Sequence, residues 1–522
     1  MKSSNLNIWT ILTILLVGIS NISFAEKTIY VDADAKGANN GTSWIDAYNY
    51  LQEALNDANS AEKPVEIKVA QGTYKPNGGL VAIPEFDWKT TAFQLINRVT
   101  IEGGYAGFGE LDPDARNIDL YKTILSGDLN GDDSMNLWLF ELDNSYHVTT
   151  SSGTDPNAVL DGFTITGGQG PQGGGMYNDA GSPTIKNCTF NQNDAHNGGG
   201  MCNANGSNPT LLMCTFSENY VNSNDTPGSG GGMYNQNSNP VLIDCTFSQN
   251  VALSSGVGGG MANYQSNPTI IRCTFTDNSI EGSSNELVTG GGAIFSDQSN
   301  LVLVSSLLIA NSALNGTGGA INNVRSTINL INCTFAANRA SYGTSLACWQ
   351  TWQKEKTELS SAFITNSILW DDSFQIWNEE GSLITISYTD IQGSQAAVND
   401  PLGMVVWGDG NIDADPNFAS SGYWGTWNDP SVVAEPNDTS AVWIDGDYHL
   451  QSEAGRWDPK GGVWVLDEVT SPCIDKGDIT SPFDLEPLPN GGRINMGVYG
   501  GTIEASKSTA TTPPDEPDKG KT

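Results

Sequence analysis

Four oxygen-bearing residues stand at alternate positions in the run Asp-Gly-Asn-Ile-Asp-Ala-Asp: Asp409, Asn411, Asp413 and Asp415. Such spacing lets carboxylate and amide oxygens converge on a hard cation, and Ca²⁺ is the ion the pattern would take. Asp128, Asn130 and Asp132, with Asp133 after them, repeat the theme earlier in the chain. Both runs are incomplete. A full twelve-residue calcium loop would carry Gly where Ala414 stands and Glu where Ser420 stands, and the earlier run also lacks a closing Glu. The competing reading of each, and the favoured one, is an Asp/Asn turn that bonds its own backbone. No cofactor is required by anything else in the sequence.

Asp244 and Arg272 offer a second chemistry. As a lyase pair, Arg272 would be the base and Asp244 a Ca²⁺ ligand. The plainer reading is an ion pair between adjacent strands, worth about 0.2–1 kcal/mol. Residues 173–345 hold 4 basic and 9 acidic side chains, with no acidic cluster of the kind β-elimination needs. Tryptophan is a third candidate, since ten of the fourteen lie between 349 and 464. Trp349, Trp352, Trp370 and Trp377 could stack on sugar rings, or could seal the end of a core. His147, His196 and His449 are far apart and form no metal spacing, and His196 is most simply solvent-exposed. No nucleophile elbow, phosphate loop or dinucleotide fingerprint occurs in a supporting context.

The elements that must position these groups repeat. Six times between Gly173 and Asn338 a glycine run ends in one apolar residue (Met176, Met201, Met233, Met261, Ile294, Ile321), and an apolar strand follows. Each copy then carries an aromatic or Leu and, three residues on, an asparagine: Phe190/Asn193, Phe216/Asn219, Phe247/Asn250, Phe275/Asn278, Leu308/Asn311 and Phe335/Asn338. A β repeat of this length means stacked rungs rather than an ordinary globule. Period-two alternation puts the Phe and Cys positions inside and the residue before each Cys outside. Two consecutive apolar positions ahead of that residue imply a corner between them, with Lys186 as the misfit. The asparagines are expected to form an amide ladder. Cys188, Cys214, Cys245, Cys273 and Cys333 share one repeat position. Stacked strands lie about 4.7–4.9 Å apart, too far for Cβ atoms that a disulfide needs at about 3.5–4.5 Å. A buried thiol column is therefore expected, while Cys202, Cys348 and Cys473 fall outside the register and could pair.

Segments between asparagine and the next glycine run vary: 194–197, 220–229, 251–257, 279–289 and 312–317. Insertions at one repeat position emerge on one face, which makes that face the expected binding face of the rungs. Ahead of the repeats, Trp44 to Ala58 reads as an amphipathic helix capped by Ser43 with Asp46, placed to cover the open end of the stack.

Lys2, an apolar run from Ile8 to Ile19 and Ser23-Phe24-Ala25 read as a signal peptide over residues 1–25, so export to the outside or the cell surface is expected. No later segment is apolar enough to cross a membrane. The net charge of −36, from 59 acidic and 23 basic residues, argues against nucleic acid and anionic membranes as partners. The expected organisation is an all-β right-handed parallel β-helix over 26–400, an irregular C-terminal cap over 401–505, and a disordered tail over 506–522.

Gly-Gly-Ala-Ile at 291–294 and 318–321, paired with Phe-x-x-Asn, resembles the repeat of the chlamydial polymorphic outer-membrane proteins. That resemblance covers 173–338 and implies a β-helical surface adhesin. No alternating strands follow for a membrane barrel, a departure from that family. Ile29-Tyr30-Val31-Asp32, Val69-Ala70-Gln71-Gly72-Thr73-Tyr74, Leu160-Asp161-Gly162-Phe163-Thr164-Ile165, Ser471-Pro472-Cys473-Ile474-Asp475 and Gly492-Arg493-Ile494-Asn495-Met496-Gly497 look like exported β-helix-repeat proteins of planctomycete-type bacteria. The fold also resembles that of pectate lyases, which confers no reaction by itself. The leading expectation is a non-catalytic surface or matrix protein binding polysaccharide or a surface protein. A polysaccharide lyase or glycoside hydrolase and a structural envelope component are the alternatives.

Overall fold

The computed structural model describes residues 27–78, 88–133, 143–221, 228–253, 256–281, 289–349, 359–371, 374–378, 382–434 and 440–509. The signal segment 1–25, Trp352 and residues 510–522 lie outside them.

The repeats stack as rungs of an all-β right-handed parallel β-helix. Among the described residues three parallel sheets run its length, a first of 13 strands and a second and third of 11, and a short sheet of 7 is confined to the middle rungs, from Gln169–Gln172 to Arg339–Tyr342. One rung shows the path. Val241–Ile243 lies in the first sheet, Thr246–Ser248 in the second, Val251–Ala252 in the short sheet and Met261–Tyr264 in the third. Register is kept residue for residue, so Phe190 pairs with Phe216, then Phe247, Phe275, Leu308 and Phe335. Like positions thus form columns through one continuous core, which includes these side chains and the five in-register cysteines.

Four corners close each regular rung, and each is a left-handed residue, as Asp244, Gln249, Gly258 and Gln265 are in the rung that starts at Val241. Asn187, Met213, Asp244, Arg272, Ser305 and Asn332, the residues before each Cys position, all have φ between 46° and 56°. The corner therefore sits on that residue, not between the two apolar positions ahead of it. Ile185, Leu211, Leu242, Ile270, Leu303 and Leu330 point inward, and the next residue points out. Lys186 is accordingly no misfit, because its position faces solvent. Left-handed φ is costly for these residues, but each corner N–H bonds the rung above, as Asp244 N does to Ile271 O at 3.1 Å. The corner between the short and third sheets belongs to glycine: a Cβ on Gly230 (φ +72°) would stand 2.1 Å from the Met233 carbonyl oxygen.

The short sheet occupies the start of each variable segment, in Asp194–Asn197, Tyr220–Val221, Val251–Ala252, Ser279–Ile280 and Ser312–Thr317. Those segments are rungs first and loops second; residues 222–227, 254–255 and 282–288 lie outside the described part.

At the N-terminal end, helix α1 spans Leu51–Ser60 and buries Leu51, Ala54, Leu55 and Ala58 against the core. It starts later than Trp44. The Ser43–Asp46 contact forms, with Asp46 N donating to Ser43 Oγ at 3.3 Å, but it shapes a turn. That turn is needed elsewhere. Tyr48 N donates to Tyr30 O and Asp32 N to Tyr48 O, which blocks the free edge of the first strand, Lys27–Val31.

The C-terminal region is not an end cap. The coil continues through Val405–Trp407, past residue 400. The chain then folds back along the outer face of the second sheet. Phe418, Tyr448, Leu450, Cys473, Ile474 and Met496 bury Leu307, Ile309, Ala336 and Ile368 there. Contact reaches back to Thr276, whose Oγ1 donates to Asp445 at 3.5 Å. Residues 506–508 are pinned too, Ser506 Oγ to Leu450 O and Ser508 N to Pro489 O, so a disordered tail does not begin at 506.

Candidate functional site

The recurring interior asparagines hold rungs together. Asn193, Asn219, Asn250, Asn278 and Asn311 each donate Nδ2 to the next amide oxygen at 2.9–3.0 Å. Asn338 ends the series on Asp371 at 3.1 Å. A second buried ladder runs through Asn178, Asn203, Asn235 and Asn263, linked at 2.6–2.8 Å. Sequence reading missed it, although an asparagine stands two residues after Met176, Met201, Met233 and Met261. All eight cysteines are buried and unpaired, including Cys202, Cys348 and Cys473. Burial pushes the thiols of Cys188, Cys202, Cys333 and Cys348 up to about 12. None of these groups is presented to a ligand.

Asp244 and Arg272 sit at neighbouring corners between the first and second sheets. They form a two-pronged ion pair, Nε–Oδ1 2.7 Å and Nη2–Oδ2 2.8 Å, with both side chains 42% exposed. The hydrogen bonds to Asp244 hold the Arg272 guanidinium above its ordinary range, so it is no proton acceptor.

The tryptophans are not gathered. Trp370 packs at the seam with the C-terminal region, on the second sheet. Trp377 lies in the third sheet, edge-on to Tyr342 at 4.6 Å. The Trp349 backbone pairs with Val324, and its side chain is outside the described part.

Asp409, Asn411, Asp413 and Asp415 serve the last coil. Asn411 Oδ1 accepts from Thr389 N at 3.1 Å, and its Nδ2 donates to Ile386 O at 2.9 Å. Asp413 accepts from Gly393 N and Asp415 from Asn417 N. Among the described residues these carboxylates do not converge; those of Asp128, Asp132 and Asp143 do, within 4.8 Å of one another. Asn130 joins that loop through its backbone N–H, which bonds Asp143. The histidines bind within the protein: His147 Nδ1 lies 3.0 Å from Gly173 O, His449 Nδ1 2.6 Å from Asp447, and His196 is half-buried in its short-sheet strand.

One surface does combine ligand-like groups. In the third sheet the residue after each Met or Ile points outward, and so does the residue two further on. This sets Tyr177, Tyr234, Tyr264 and Phe295 on one flank, with Tyr264 5.5 Å from both Tyr234 and Phe295; Tyr234 and Phe295 are buried in that cluster, and Tyr177 and Tyr264 are its partly open rings. The chain then turns through the left-handed corners Gln265, Gln298 and Arg325 into the first sheet. Gln265 Nε2 donates to Gln298 Oε1 at 3.1 Å, and Arg325 Nε to Asp297 at 2.9 Å. Beside them runs an exposed amide row: Asn239 donates to Asn208, Asn267 to Asn239 and Asn300 to Asn267 at 2.8–3.1 Å. Gln265, Gln298, Ser299, Asn300, Arg325 and Thr327 line a shallow depression there. The result is an array of planar donors and acceptors repeating at the rung spacing of about 4.7–4.9 Å, next to aromatic rings. The recurring Ser-Asn-Pro at 207–209, 238–240 and 266–268 was its sequence signal.

A second polar spot lies at the seam with the C-terminal region. Asp277, at a corner, has its carboxyl pushed up to about 6, chiefly by burial, with the Asp445 charge adding and Arg339 opposing. Arg339 lies over the Trp424 ring at 4.6 Å.

A family model described as a right-handed β-helix region matches residues 147–335. No curated protein matches the chain. Among solved structures, one described as the crystal structure of pectate lyase Pel9A is 14% identical, covers 92% of this chain and 97% of its own, and has a TM-score of 0.48. Another, described as rhamnogalacturonan lyase, is 13% identical, covers 80% and 96%, and has a TM-score of 0.34. Neither likeness says anything of this chain's activity.

Proposed function

We propose that this β-helix is an exported, non-catalytic protein that binds neutral glycans along the corner between its third and first sheets. The observation that carries the reading is the amide array from Asn208 to Asn300, flanked by Gln265, Gln298 and the Arg325–Asp297 pair and bordered by Tyr264. Sugar hydroxyls need paired donors and acceptors, and a pyranose face needs a ring to lie on. A repeat of one rung per array step suits a repeating ligand. The charge of −36 weighs against polyanionic sugars. Non-catalysis is favoured by the state of the outward arginines of the repeats: Arg272 and Arg325 are each held by a carboxylate, and Arg339 is stacked on Trp424. The resemblance of the repeats to surface adhesins points the same way. Incubation with insoluble neutral polysaccharides tests it: retention without new reducing ends or unsaturated product is expected, and turnover overturns it.

A hydrolytic reading has one observation on its side, the half-buried Asp277 facing Asp445 at the seam. A carboxyl pushed up to about 6, with a second carboxylate near enough to contribute, suits general acid chemistry. Reducing ends released by the native chain and lost in Asp277→Asn would favour it over binding alone.

A further inference from the structure

We propose that Asp128, Asp132 and Asp143, with Asp133 and the amide oxygen of Asn144 beside them, form a Ca²⁺ site that ties down the crossover from the second sheet to the third. The crossover leaves strand Thr123–Ser126 and rejoins at strand Thr149–Thr150. Its two ends meet here. Ser145 N donates to Gly127 O at 2.9 Å, which places residues 143–145 against the loop that starts at Asp128. Oxygens of Asp128, Asp132 and Asp143 then lie within 4.8 Å of one another. Gly131 N donates to Asp128 Oδ1 at 2.5 Å and fixes that carboxylate.

Asn144 supplies an independent observation. It is 7% exposed, and its Nδ2 donates to Asp133 Oδ2 at 2.9 Å, which sets its head group at the cluster. Its Oδ1 is buried and has no donor, and neither has the buried Oδ2 of Asp143. A buried acceptor left unmatched costs about 1–3 kcal/mol, and such oxygens in a native site call for an explanation. Here one belongs to the amide that meets Asp133 and the other to the Asp128–Asp132–Asp143 group itself, whose charges repel. Among the described residues no cation pairs with these acids; Lys75 approaches the loop at Gly131 but makes no ion pair with them. A divalent cation would remove both difficulties. The donor set is oxygen throughout, rich in carboxylate and carried on an irregular loop, which suits the variable coordination of Ca²⁺ better than the strict octahedron of Mg²⁺.

This site does not depend on the glycan reading. The test is calorimetric titration of the full chain with CaCl₂ after dialysis against chelator, with melting followed in parallel. One saturable site and a raised melting temperature are expected. Asp132→Asn, at an exposed position, and Asp143→Asn should each weaken binding by about tenfold or more, since ligand charge count sets affinity. Asp413→Asn should leave it unchanged. The far-UV spectrum of each variant shows that it is folded. No heat and no melting shift at about 10 mM Ca²⁺, above the weakest sites of extracellular modules, would overturn the proposal. So would binding that survives both substitutions, or Mg²⁺ binding as tightly.

Discussion

The rings of Phe216 and Phe247 lie 4.7 Å apart and 5° from parallel, on successive rungs. The pairs Phe190–Phe216 and Phe247–Phe275 repeat that geometry. Each ring is 0% exposed, so removing Phe247 opens a void between Phe216 and Phe275. Phe247→Ala is expected to cost about 3–5 kcal/mol, read by denaturant unfolding. A loss of a few tenths would show that the column does not bear load.

Asn219 passes both its Nδ2 and its backbone N–H to Asn250 Oδ1. Asn250→Ala strands both donors in the interior, and about 1–3 kcal/mol should be lost for each unmatched group. Asn239 makes the same kind of amide contact in water, at the exposed row. Asn239→Ala should stay within about 0.5 kcal/mol of the parent. Equal losses at the two sites would contradict the distinction between structural and surface ladders.

Much of this was readable. Phe-x-x-Asn at fixed distance from each glycine run dictated stacking, because matching residues satisfy one another only in register. The corners were opaque, since Met213, Asp244 and Arg272 share a conformation but no chemistry that announces it. The short sheet hid in segments of varying length, where strands such as Tyr220–Val221 span two residues. The lateral docking of the C-terminal region did leave a mark. Outward positions of the second sheet are Thr246 and Ser248 in one rung but Leu307 and Ile309 two rungs on, where Phe418 and Tyr448 cover them. The acidic site needed the fold, because Asp143 and Asn144 reach Asp128 only through the bond between Ser145 and Gly127.

Cysteine state gives a separate check. All eight thiols are buried and unpaired. Unreduced native protein should resist alkylation, and the same sample in denaturant should take up eight equivalents, counted by mass. Any pair missing from that count would identify a disulfide the structure lacks.

Stability should respond to pH in a stated direction. Glu486 is 5% exposed, and burial pushes its carboxyl from 4.5 up to about 7, although Asn495 N and Gly501 N donate to it. Asp390, buried against Cys473, is pushed up to about 7 as well. Between about pH 4.5 and 7 the folded chain keeps these protons and the unfolded chain releases them. Unfolding is therefore favoured as pH rises, by about 1 kcal/mol per unit for each group. Melting temperature should fall across that window, and Glu486→Gln should flatten the fall. A rise, or no change in slope in the variant, would show that Glu486 is ionised in the folded state.

The corner between the third and first sheets carries the functional account, and a neutral-glycan array probed with native chain and with the double variant Gln298→Ala/Arg325→Ala tests it most directly. The account predicts that the native chain binds at least one neutral glycan and that the folded variant loses it. Absence of any neutral-glycan binding, or binding that persists unchanged in the variant, would contradict it.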